Sequence, residues 1–234
     1  MTIQIFTAHS DDIPYSIPLY ISKKIKKEKI IISYVFQITN YAPNLINYNI
    51  NEVSKLRYLE LKSFSDILNL EIDPIKFKDA CIRKDYFEKK VCHNKPMSKI
   101  DKILSKKLLK YITDADLILF PLAIGNHIDH RIILNTGLLY AKSGKNNFGF
   151  YEDLPYSYEF SENYINSYIK RINTKVDTYL KKYIVKDKNF VKKKVMYAKL
   201  NSSQVSDKYI NQILKYSKRR QNIDNGEERI WLKN

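Results

Sequence analysis

The chain has 234 residues and a formal net charge of +16, from 41 Lys and Arg against 25 Asp and Glu. This length suits one domain with a real core and excludes a disulfide-stapled miniprotein. A hydrophobic share of 44% excludes disorder as the main state.

Strand-like and helix-like segments alternate over the first two thirds. Ile3 to Thr7 is a short apolar run that predicts a strand, and the stretch from Pro14 to Lys27 predicts a helix with proline in its first turn. Ile30 to Thr39, rich in β-branched and aromatic residues, predicts a buried strand. Asn51 is placed to cap a helix that carries Val53, Leu56, Phe64, Ile67 and Leu68 at helical spacing. A weaker strand signal lies at Ile75 to Phe77. Ser98 is placed to cap a helix with Ile100, Ile103, Leu104, Leu108 and Ile112 on one face. Leu117 to Phe120 predicts a strand, and a helix is expected from His127 to Ala141.

The remainder is lysine-rich. Phe148 to Tyr151 reads as a strand, followed by helical segments at Tyr164 to Tyr183, Phe190 to Lys199 and Asp207 to Arg220. Strands alternating with helices imply an α/β fold with a mostly parallel sheet covered on both faces. The expected organisation is a single domain over 1–234. Residues 1–145 would form its core and 146–234 a strand and helices that complete the cleft.

No apolar run is long enough to cross a bilayer, and the N-terminus has no basic segment of the kind that opens a signal peptide. Cys81 and Cys92 form no CxxC pair, so a cytoplasmic setting and idle thiols are expected.

Three of the four histidines fall in two short windows, Ala8-His9-Ser10-Asp11-Asp12 and Gly125-Asn126-His127-Ile128-Asp129-His130-Arg131. Each window follows a predicted strand, and ligands of a parallel α/β sheet gather at the carboxyl ends of its strands. His and Asp suit a catalytic zinc with three protein ligands and one open position. His9 and Asp12, three apart, can face one ion, with His130 as the third ligand. Asp11 is then free to take a proton from zinc-bound water. His127 could protonate a leaving group or steady an oxyanion, and Asp129 could orient that imidazole. Either window alone reads equally well as a helix start with an aspartate near the positive end of its dipole. Their joint placement after strands favours one site.

The two windows resemble the PIG-L/LmbE-like N-deacetylase family, whose AHPDDE and HPDH motifs here read AHSDDI (Ala8 to Ile13) and HIDH (His127 to His130). Arg57 and Glu60 fall where that family often has R..E on a helix. Tyr151 to Tyr156, Lys194 with Ser203-Gln204, and Glu228 to Trp231 are similar to later stretches in the right order. The resemblance implies a Rossmann-like three-layer sandwich and a zinc-dependent hydrolase that removes N-acetyl groups from amino sugars. On it, His9, Asp12 and His130 match the metal ligands, Asp11 the general base, His127 the stabilising residue and Asp129 its partner. Ser10 in place of proline is expected to loosen the turn. Ile13 in place of glutamate removes a carboxylate beside the site.

Arg131 could hold a sugar hydroxyl or phosphate, or equally make a surface salt bridge. Tyr151, Asp153 and Tyr156 are candidates for the pocket wall. His93 is expected to be a loop residue. The implied cofactor is one Zn2+ per chain. The implied partner is an N-acylated amino-sugar substrate, with the basic balance favouring an anionic one such as a nucleotide sugar or a phospholipid-linked sugar. No nucleic-acid partner is expected, because Arg is scarce and no recognition motif is present. The alternatives are an inactive relative that binds without turnover, and a basic nucleic-acid-binding protein.

Overall fold

A computed structural model of the chain describes residues 1–83, 86, 92–145, 147–218 and 227–233. Its centre is one sheet of strands β1 (Thr2–Thr7), β2 (Lys29–Tyr34), β3 (Glu71–Pro74), β4 (Leu117–Pro121), β5 (Phe148–Tyr151), β6 (Leu180–Lys186) and β7 (Glu227–Lys233), in the order β3-β2-β1-β4-β5-β7-β6. The first five are parallel, while β7 is antiparallel to β5 and β6 antiparallel to β7. Strands from both the 1–145 and the 146–234 segments therefore belong to one hydrogen-bonded sheet.

The helices are α1 (Asp12–Ser16), α2 (Pro18–Lys24), α3 (Ile50–Leu68), α4 (Lys99–Leu108), α5 (Ile128–Lys142), α6 (Glu162–Val176), α7 (Phe190–Ala198) and α8 (Asp207–Lys218). Alternation along the strands sends side chains to opposite faces and divides the core in two. Ile3, Ile5 and Leu119 pack with Ile17, Leu61, Phe64 and Phe190 under α2, α3 and α7. Phe6, Ile118 and Phe120 pack with Leu108, Ile132, Ile133 and Ile165 under α4, α5 and α6. The result is a mostly parallel sheet covered on both faces, as the alternating pattern predicts, in the Rossmann-like three-layer sandwich that the resemblance implies.

Several boundaries differ from the sequence expectation. The helix predicted over Pro14 to Lys27 is two short helices broken at Ile17 (φ −134°, ψ 33°). Ile17 precedes Pro18, and proline's ring disfavours the α conformation in the residue before it. Asn49, not Asn51, caps α3, with Glu52 completing a capping box. The predicted Ser98 cap is found, with Asp101 as its reciprocal partner. The strand expected at Ile75 to Phe77 lies earlier, at β3. The helix expected over Tyr164 to Tyr183 ends at Val176, where Asp177 adopts the left-handed conformation (φ 50°). Tyr183 instead lies on the edge strand β6. Of the helix expected over Asp207 to Arg220, residues 219 and 220 lie outside the described residues.

Chain order reverses between β1 and β4, which pair directly with Ile3 opposite Leu117 and Ile5 opposite Leu119. This switch point brings the loops after the two strands together. Among the described residues, no helix is long and apolar enough to cross a membrane.

Candidate active site

A cavity of about 260 Å³ opens at this switch point, lined by His9, Asp11, Tyr41, Arg57, Asp79, Cys81, Cys92, His93, His127, Tyr156, Gln204 and Tyr209. His9 and Asp12 are both buried in the turn after β1, where the His9 N–H donates to Asp12 Oδ2 at 2.7 Å. His130 lies in the first turn of α5, fully buried. Asp12 stands between the two imidazoles. Its Oδ2 is 3.6 Å from His9 Nδ1 and its Oδ1 is 3.3 Å from His130 Nε2.

The far nitrogen of each ring meets its own carboxylate. His130 Nδ1 is 2.6 Å from Asp153 Oδ1, and His9 Nε2 is 3.2 Å from Asp129 Oδ2 and 3.7 Å from Asp79 Oδ2. This is how protein metal sites orient a histidine ligand and raise its basicity. His130 Nε2 is buried and makes no aligned hydrogen bond; the group it faces is the Asp12 carboxylate. The donor set of one carboxylate flanked by two inward-facing imidazole nitrogens fits a divalent ion. The ring nitrogens of His9, His127 and His130 also lie within 4.8 Å of one another, as do donor atoms of His9, Asp11 and Asp12.

Charge follows from this crowding. Burial works against a proton on His9, but Asp12, Asp129 and Asp79 outweigh it and push the imidazole up to about 10. His130 is likewise raised, with burial overcome by Asp12 and Asp153. Asp12 lies well below the usual carboxylate range because His130 and His9 outweigh its burial. His127 goes the other way: burial holds it well below its ordinary value, so it is neutral. As the N-cap of α5, its Nδ1 accepts from the Asp129 N–H at 3.3 Å. The tautomer compatible with that bond carries its proton on Nε2.

Asp11 faces the cavity with its Oδ1 2.5 Å from Arg57 NH2. The buried Arg57 side chain also donates from Nε to Ser10 Oγ at 3.0 Å and from NH1 to the Tyr41 carbonyl at 3.4 Å. Ser10 is thus tied to Arg57 through its hydroxyl. Ile13 is fully buried in the core beside Ile17.

Some sequence-predicted residues stand elsewhere. Tyr151 does not line the cavity: it is fully buried at the end of β5, and its hydroxyl donates to the Phe6 carbonyl at 2.9 Å. Asp153 is behind His130 rather than on the wall. Arg131 lies one residue past His130, which on a helix turns it about 100° away; its guanidinium donates to the Lys95 carbonyl and faces a different groove. The Asp129 carboxylate backs His9, not His127, and is held by Arg83 NH1 at 2.6 Å and the Ala80 N–H at 3.0 Å. Tyr156 does line the cavity. Gly125 (φ +95°) lets it approach, because a Cβ at that position would lie 2.7 Å from the Tyr156 Cβ.

Other lining residues carried no local signal. Asp79 lies five residues after β3 and accepts from Thr39 Oγ1 at 2.8 Å. His93 is a loop residue as expected, yet its ring sits 5.0 Å from that of His127 at the cavity rim. Cys81 and Cys92 also line the cavity, where burial pushes their thiols up to about 12 and about 11, which keeps them protonated.

The looser motifs are structural ties. Glu60 accepts from the Ser203 N–H and hydroxyl, both at 2.7 Å. Lys194 Nζ reaches the carbonyls of Tyr15 and Ser16 at 2.7 and 2.8 Å and Glu228 Oε1 at 2.8 Å.

No family model and no curated protein matches the sequence. Solved structures do match. A deacetylase of the teicoplanin biosynthetic pathway superimposes with a TM-score of 0.77 at 17% identity, covering 99% of this chain and 97% of that one. A zinc-inhibited form of teicoplanin deacetylase gives 0.74 at 17%, covering 99% and 97%. The N,N′-diacetylchitobiose deacetylase of Pyrococcus horikoshii gives 0.63 at 14%, covering 98% and 83%. A 4-carboxy-2-hydroxymuconate hydratase from Pseudomonas putida shares the architecture at 0.57 and 11%, covering 97% and 95%, so the fold by itself does not name a reaction. Over nearly its whole length the chain shares the fold of these deacetylases.

Proposed function

We propose that this single-domain protein is a metal-dependent hydrolase that removes an N-acetyl or other N-acyl group from an amino sugar or amino-sugar conjugate. The observation that carries this reading is Asp12 lying between His9 Nδ1 and His130 Nε2, with Asp129 and Asp153 on the far nitrogens. In this reading His9, Asp12 and His130 hold the ion, with zinc the preferred metal. When bound, it supplies a Lewis acid for amide hydrolysis.

The chain's own residues do the rest. Asp11, fixed by the Arg57 guanidinium at the cavity wall, takes a proton from the attacking water as its oxygen bonds to the acyl carbon. His127, neutral with its proton on Nε2, faces the same cavity and donates to the oxygen that gains charge. When the C–N bond breaks, the nitrogen takes up the proton from Asp11 and leaves as an amine, and the acyl group leaves as a carboxylic acid. Asp129 keeps His9 oriented. Tyr156 walls the cavity and restricts bulk water.

The test is an acetate-release screen over N-acetylated sugars and their conjugates, with zinc-loaded protein, chelated protein and Asp11→Asn. Release lost on chelation, and lost in Asp11→Asn with zinc still bound, is the expected result. Native turnover in Asp11→Asn removes the role of Asp11. No release from any sugar, with zinc bound, removes the hydrolase reading.

A further inference from the structure

A groove of about 330 Å³ lies between α5 and α6 and shares no lining residue with the catalytic cavity. Arg131 and Leu134 line it from α5, and Tyr168, Arg171, Ile172 and Lys175 line it from α6. Residues three and four apart share a helix face, so each helix turns one stripe toward the groove. Leu134 and Ile172 are buried and supply an apolar floor. Arg171 and Lys175 are exposed and Arg131 is half-buried, so three cations border that floor.

These charges are uncompensated. The chain has 25 Asp and Glu, yet no carboxylate lines the groove, and none of the three cations has an ion-pair partner among the described residues. Two of the three are also held in place. Arg131 NH1 donates to the Lys95 carbonyl, which uses one donor of a five-donor fork. The Arg171 guanidinium lies 5.4 Å from the centroid of the Tyr168 ring. That ring is anchored by its hydroxyl, which donates to the Leu122 carbonyl at 2.7 Å. A guanidinium already placed loses less freedom when it meets an anion.

A carboxylate would answer one of these charges. A phosphate ester carries a charge of about −1.5 to −2 at neutral pH and three strong acceptor oxygens, which suits a ring of three cations. The apolar floor takes an organic portion, and a volume of about 330 Å³ lies within the roughly 300–1,000 Å³ usual for small-molecule sites.

We propose that the groove between α5 and α6 binds an organic phosphate of nucleotide size. The phosphate sits among Arg131, Arg171 and Lys175, and the organic portion lies on Leu134 and Ile172. This site stands or falls separately from the deacetylase reading, because the two share no lining residue.

The experiment is calorimetric titration of zinc-loaded protein with adenosine 5′-phosphate, glucose 6-phosphate and inorganic phosphate. At least one ester is expected to bind about tenfold more tightly than inorganic phosphate, through apolar area covered on the floor. The double variant Arg171→Gln with Lys175→Gln should weaken that ester roughly tenfold, the scale of two exposed ionic contacts. A control variant, Lys181→Gln with Lys186→Gln, removes the same charge from exposed positions on β6 and should leave the affinity unchanged. Binding should also persist after zinc is chelated. The site is overturned if neither ester binds more tightly than inorganic phosphate, if the groove variant binds like the native chain, or if the control loses as much. Loss on chelation overturns it too, by placing the phosphate on the metal.

Discussion

Asp153 Oδ1 stands 2.6 Å from His130 Nδ1, and its other oxygen accepts the Ile124 N–H at 3.0 Å. The carboxylate that the sequence placed on the pocket wall thus works from behind, locking the ring whose opposite nitrogen faces Asp12. Asp153→Asn keeps the shape and removes the charge. Loss of such a partner weakens metal binding by roughly 10–100-fold. Competition against a chromophoric chelator measures it, and unchanged zinc affinity would show that Asp153 only packs.

Arg57 joins Ser10 to Asp11 through separate nitrogens, at 3.0 and 2.5 Å. Lysine has the charge but not the fork. Arg57→Lys is expected to leave zinc content intact and to lower kcat by roughly 100-fold with little change in KM, as misplacement of a reacting group does. Steady-state kinetics beside metal analysis decides; a loss carried wholly by KM would move Arg57 from positioning Asp11 to binding substrate.

Metal binding should tighten as pH rises. His9, raised to about 10 against its burial by Asp12, Asp129 and Asp79, holds a proton at neutral pH in the metal-free chain, as does His130. An ion must displace those protons, and each proton displaced strengthens binding by up to about tenfold per pH unit while pH stays below the raised pKa. Zinc titrations between about pH 6 and 8, in buffers of different ionisation enthalpy, should show rising affinity and net proton release. A flat profile with no proton release would contradict this charge assignment.

Lys194 and Glu228 form a buried pair at 2.8 Å that ties α7 and β7 to the end of α1 and the start of α2. Removing one member of a buried pair leaves the other charge uncompensated, at a cost of about 3–5 kcal/mol. Lys194→Met should show that loss in urea unfolding. The double variant Lys194→Met with Glu228→Gln should recover part of it. A double variant as unstable as the single would mean that the contacts to the Tyr15 and Ser16 carbonyls dominate.

The reach of the sequence is clearest at particular positions. Ser98 and its capping partner, the β5 run Phe148–Tyr151 and the helix beginning after His127 were legible because caps, alternation and helical spacing depend on residues within a turn of each other. The two windows were legible because a strand end is a local feature, and a parallel sheet restricts where such ends meet. What lies behind each imidazole was not. Asp129 pairs with His9 across 120 positions, and Asp79 and Arg83 reach the same cluster from beyond β3. Those partners depend on how α5 and the loop after β3 are rotated against β1. Packing of the two apolar layers sets that rotation, and burial then forces each buried charge to find a counterpart. The sequence alone determined the sandwich and the residues of the two windows; the tertiary structure decided which carboxylate supports which histidine, because desolvation acts only on groups the fold has already brought together.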